Sequence, residues 1–157
     1  MKTKKIFFIV GLIILILNMI WEFSHYFLYL DLSGISKYPH LIIASFTDTL
    51  IILGIFTIVS LKNRNFNWMK TPRKLDYLLI VFFGLTIAVF IEIINLHLGR
   101  WTYTATMPTI FRIGISPLIQ LALTGYIGMD EFRSNLNSGI FNEGQPLALS
   151  RPRWEWI

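Results

Sequence analysis

The residues able to do chemistry lie inside apolar runs, where each polar group is costly and needs a reason. Asn18, Glu22, His25 and Tyr29 follow one another at spacings of four, three and four. Those spacings place them on one face of a helix, with Glu22 and His25 close enough to pair directly. Asp48 is the sole charge of the second run and is flanked by Ser45, Thr47 and Thr49. Gly84, Ala88, Glu92 and Asn95 share one face of the third run, where small residues let a neighbouring helix approach closely. Ser116 and Gln120 stand at i, i+4 in a fourth run, with Pro117 expected to free a carbonyl that another group must satisfy.

Three carboxyls and an imidazole suit acid–base work. Glu22, Asp48 and Glu92 are the candidate proton donor and acceptor, and His25 is the candidate shuttle. Asn18, Asn95 and Gln120 are candidates to orient a ligand, and Arg100 to hold an anionic headgroup. Trp101 and Tyr103 are candidate ligand-binding residues that also suit the headgroup level as interfacial anchors. Carboxylate metal bundles use Glu-x-x-His, but they need a matching motif on another helix. No second one occurs, so no metal or other cofactor is expected. The chain has no cysteine, which removes disulfides, thiolate metal sites and cysteine nucleophiles. Gly-Ile-Ser-Pro is not the Gly-x-Ser-x-Gly elbow of a serine nucleophile.

The elements that must position these residues are membrane helices. The apolar fraction is 54% and the charged fraction 15%, against roughly 25% charged in ordinary soluble domains. The expected fold is an all-α, polytopic membrane four-helix bundle over residues 1–128. Its helices are expected at about 6–30, 40–61, 75–98 and 108–127. Lys2, Lys4 and Lys5 open the chain, and Lys62, Arg64, Lys70, Arg73 and Lys74 crowd one loop around Trp68, itself read as an interfacial anchor. The excess of Lys and Arg there places both termini in the cytoplasm of a multi-pass cell-membrane protein. On that topology Glu22 and Asp48 lie about 12 Å, and Glu92 and Gln120 about 10 Å, from the outer helix ends. Four helices thus bring their polar residues into one layer in the outer half of the bilayer.

Residues 129–157 lack an apolar period and contain Gly139, Gly144, Pro146 and Pro152. They read as a cytoplasmic tail, disordered or interfacial. His40 reads as a solvated helix-end residue. The basic residues do not alternate with exposed aromatics, so nucleic acid is not an expected partner. The expected partners are the bilayer, a lipid-like substrate and, through self-association, a homo-oligomer.

The pattern Asn18-x-x-Trp21-Glu22-x-x-His25, Asp48, Glu92-x-x-Asn95, Gly99-Arg100-Trp101-x-Tyr103, Met107-Pro108 and Gly114-x-Ser116-Pro117-x-x-Gln120 resembles a group of small microbial four-span integral membrane proteins of uncharacterised activity. The resemblance runs from about Ile6 to Ile127. It implies four spans and no particular activity. A weaker similarity is to the membrane domains of carotenoid cyclases and hydratases. The segment Ser116 to Gln120 has no acid where those cyclases carry Pro-x-Glu-Glu. The expected function is binding of, or acid–base chemistry on, a lipid-like substrate such as an isoprenoid. Proton or metal-ion transport, and a structural assembly role, are the alternatives.

Overall fold

The computed structural model describes residues 2–30 and 37–140. The chain is mostly helical. Helix α1 (Thr3–His25) runs into a single 3-10 turn (Tyr26–Leu28). Helices α2 (Lys37–Asn63) and α3 (Lys74–His97) follow, joined through a second 3-10 turn (Trp68–Lys70). A two-stranded hairpin, β1 (Thr109–Ile110) and β2 (Ile113–Gly114), leads directly into α4 (Ile115–Asn137). Helix α4 packs most extensively on α3 and then on α1, while α2 packs mainly on α1 and also touches α3.

Three helical segments are long and apolar enough to cross a membrane: Thr3–Leu28, Lys37–Asn63 and Lys74–His97. Their outward faces are apolar. Phe8, Leu12, Ile16 and Ile20 form an exposed stripe on α1, and Leu78, Phe82 and Phe90 are exposed on α3. Soluble monomers do not carry an apolar surface of this extent. Inside, Ile6, Val10, Ile14, Ile52, Phe56, Val59, Met129 and Phe132 form a dry core at the end that carries the amino terminus.

Two boundaries differ from the sequence expectation. The first helix stops at His25, not near residue 30, because Tyr29 leaves the helix and pairs with Tyr103 in an antiparallel bridge. The Leu30 N–H donates to the Thr102 carbonyl (2.9 Å), and the Thr104 N–H to that of Leu28 (2.9 Å). The fourth helix is displaced from 108–127 to Ile115–Asn137. Its start is delayed by the hairpin, whose end is closed by an Ile115 N–H donating to the Pro108 carbonyl (2.9 Å). Its end is carried past the expected tail boundary because Met129 and Phe132 keep the inward spacing. Asp130, Glu131 and Arg133 in that last part explain why α4 is not among the three strongly apolar helices. Pro117 falls in its first turn, where a backbone N–H has no partner to lose. It therefore disrupts no carbonyl within the helix. The rest of the expected tail, residues 141–157, lies outside the described residues.

The basic end is tied by side chains. Asp76 accepts from the Arg73 N–H (2.9 Å), Asn63 Nδ2 (2.8 Å) and Lys62 Nζ (3.3 Å), fixing the start of α3 against the end of α2. Trp68 is not the expected anchor in a lipid interface. It is buried, its indole N–H donates to Ser60 Oγ (2.7 Å), and its ring meets Phe56 edge-on.

Candidate functional site

At the opposite end, the four helices surround a cavity of about 110 Å³. Its polar lining comes from every helix: Glu22 from α1, Asp48 from α2, Glu92 from α3 and Gln120 from α4. His25 and Trp101 also line it.

The link between the helices is the Gln120 amide. Its Nε2 donates to Glu22 Oε1 (2.7 Å) and to Asp48 Oδ2 (2.7 Å). One buried NH₂ group has two hydrogens, and both are spent on carboxyls from two other helices. The shared Gln120 nitrogen thus holds the Glu22 and Asp48 carboxyls side by side. Helix α4 also approaches α1 closely at Gly128, where a Cβ would lie 2.6 Å from Ile14 Cγ1.

Glu92 is organised separately. Its Oε2 accepts from the Tyr103 hydroxyl and from the Trp101 indole N–H (3.3 Å). The Tyr103 hydroxyl in turn accepts from the Gly114 N–H (3.0 Å). Position 114 is crowded: a Cβ there would lie 3.0 Å from Tyr103 Cζ and 3.1 Å from Met107 Sδ, so any larger residue must push those side chains aside. The hairpin that delivers Gly114 turns through Phe111 and Arg112, both at positive φ (51° and 68°). Two-residue hairpin turns of this hand normally carry Asn-Gly, so Phe-Arg is held there against its backbone preference. Burial raises the Tyr103 hydroxyl above the usual phenol range, and its bond to Glu92 adds to the shift. Tyr29 is raised in the same direction, first by burial and then by the Glu92 carboxylate. Both phenols therefore remain protonated at physiological pH.

The other expected site residues have partners different from those expected. Glu22 and His25 do not form the expected pair. His25 Nδ1 donates to the Trp21 carbonyl one turn back (2.6 Å), and its ring packs edge-on against Tyr29. Asn18 sits below the cavity and donates to Thr49 Oγ1 (3.2 Å), joining α1 to α2, while its Oδ1 is buried without a partner. Asn95 donates to the Ile91 carbonyl (2.7 Å) and accepts from Arg100 (3.2 Å). Neither Asn18, Asn95 nor Arg100 lines the cavity. Tyr103 stands behind Glu92 as a donor. The cavity also includes Tyr26, Tyr29 and His40, so His40 is a lining residue and not a freely solvated helix end. Tyr29 was already on the face of Asn18, Glu22 and His25 by its spacing, and the signal for Tyr26 was its place directly after His25. His40 carried none.

Among the described residues no three or more His, Asp or Glu groups are arranged to hold a metal ion. Compared with protein families, curated proteins and solved structures, the chain matches none of them.

Proposed function

We propose that this is a membrane-embedded protein that binds a lipid-like ligand, an isoprenoid being one such class, and performs acid–base chemistry on it. The observation that carries the reading is the Gln120 bridge between Glu22 and Asp48, inside a cavity that Glu92 also lines. Two carboxyls held side by side on one nitrogen can share one proton, so the pair can give a proton and take one back. Glu92, set apart by its own two donors, supplies a second acceptor. A site of this kind draws its ligand sideways from the bilayer and needs little soluble structure.

In this reading α4 completes a four-span bundle, both termini are cytoplasmic, and the cavity opens toward the outer leaflet. Support comes from charge: Lys4, Lys5, Lys62, Arg64 and Lys70 gather at the end away from the cavity, where Thr3 Oγ1 bonds Asn67 (3.2 Å). A reporter fused at Ser36 is expected on the outside and one at Asn65 on the inside. The same compartment for both overturns the topology. Transport is less well supported, because the apolar core around Ile14, Phe56 and Met129 blocks a polar path beyond the cavity.

The functional test compares, by mass, lipid extracts of cells with and without the gene. A species that appears or disappears with the wild type is expected to revert in Glu22→Gln, Asp48→Asn and Glu92→Gln, each still monodisperse on size exclusion. Full retention in all three would reduce the cluster to a clip that sets helix register.

A further inference from the structure

We infer that the cavity takes the head of an amphiphile carrying a protonated primary amine. The inference rests on the ligand-binding reading above and goes on to the chemical class of the ligand. Among the described residues, three carboxyls line the cavity and no Lys or Arg does. Among the described residues none of the three is in an ion pair with Lys or Arg. The donors around them are largely committed. Both Gln120 hydrogens go to Glu22 and Asp48, and Trp101 and Tyr103 both donate to Oε2 of Glu92. That leaves Glu92 Oε1 with no hydrogen-bond partner, on a residue only 3% exposed that lines the cavity. That oxygen is not closed off inside the protein, so a ligand in the cavity that supplies N–H groups can reach it.

The charge balance selects among ligands. A carboxylate or phosphate head would add anionic acceptors to a site already rich in them. An alcohol brings one donor and no charge. A primary ammonium brings three donors and the missing positive charge. The walls fit the same ligand, because Tyr26, Tyr29 and Trp101 offer ring faces and edges beside the carboxyls. Ring faces attract ammonium groups within about 6 Å of the centroid. The chain shows this contact at the rim, where Lys37 Nζ lies 4.4 Å over the Tyr26 ring. Size sets the last limit. A cavity of about 110 Å³ is smaller than the roughly 150 Å³ that accepts benzene. It holds a small head and no more, so the tail must leave between helices, past the apolar Leu41, Ala44 and Ile91.

The test uses the full-length protein in phosphatidylcholine nanodiscs, with equilibrium binding of labelled dodecylamine, dodecanol and dodecanoate against empty nanodiscs. Saturable dodecylamine binding is expected, at least tenfold tighter than dodecanol, with no saturable dodecanoate binding. Glu92→Gln keeps the shape of the side chain and is expected to weaken dodecylamine at least tenfold while leaving dodecanol within about twofold. Equal affinity for dodecanol and dodecylamine would overturn the amine assignment and leave the lipid-binding reading standing. Dodecylamine binding untouched by both Glu92→Gln and Asp48→Asn would place it outside the cavity, with the same consequence. Saturable binding of none of the three probes would overturn both.

Discussion

Replacing Gln120 with leucine is expected to lower the melting temperature of the purified protein by about 5–10 °C, with both carboxyl-bearing helices loosened. Leucine nearly conserves volume, so the change is chemical. It removes both donors that hold Glu22 and Asp48 at 2.7 Å. Each acceptor left unsatisfied in a buried setting costs about 1–3 kcal/mol. Glu22 and Asp48 are only partly buried, which returns part of that and leaves a net loss of about 2–3 kcal/mol. For a chain of this size each kcal/mol moves the midpoint by roughly 2–4 °C. Intrinsic fluorescence during heating in detergent measures it.

The sharper form is a cycle with Glu22→Gln. Alone, that change keeps an acceptor for Gln120 and adds a donor, so stability should move by less than about 1 kcal/mol. Combined with Gln120→Leu, the new amide can donate to Asp48, and at least half of the loss should return. A strictly additive double variant would mean that Gln120 does not stabilise the bundle by bridging. The same Glu22→Gln protein is the one expected to lose function, so folding and chemistry separate in a single variant.

The parts of this arrangement that were legible in the sequence are those written as periodicity. The apolar runs bounded by Lys and Arg gave α2 and α3 to within a few residues, because hydrophobic length and flanking charge are the signal itself. The layer shared by Glu22, Asp48, Glu92 and Gln120 was legible for the same reason. Side-chain partners across elements were not. Trp101 and Tyr103 read as headgroup anchors because aromatic residues after an apolar run fit that role, and nothing local says that the loop folds back onto Glu92. The hairpin had no signal at all, since Phe111-Arg112 is not a sequence that favours positive φ. The continuation of α4 was hidden by Asp130, Glu131 and Arg133, which broke the apolar run while Met129 and Phe132 still turned inward. Glu22 and His25 had the spacing of a pair, but spacing does not show that an imidazole will bond its own helix backbone instead.

The second large effect is expected at Gly84. A Cβ placed there would lie 2.7 Å from both Cα and N of Ala122 and 3.1 Å from the Leu121 carbonyl carbon. Those are backbone atoms of α4, so no rotamer change relieves the contact. Ordinary carbon contacts begin near 3.5 Å, so even alanine forces α3 and α4 apart by roughly 1 Å. That separation acts on the site, because α3 carries Glu92 and α4 carries Gln120. Gly84→Ala should therefore fold with reduced stability and lose ligand binding, and Gly84→Leu should give no monodisperse peak on size exclusion. Two controls make the test specific. Gly54 on α2 has nothing within 4 Å of a built Cβ, so Gly54→Ala should be neutral or stabilise by up to about 1 kcal/mol. Ala122→Gly should fail to rescue Gly84→Ala, since the obstruction is the α4 backbone and not the Ala122 methyl group. Rescue by Ala122→Gly would mean that the helices meet through side chains, and the close α3–α4 approach that aligns the two halves of the cavity would be wrong.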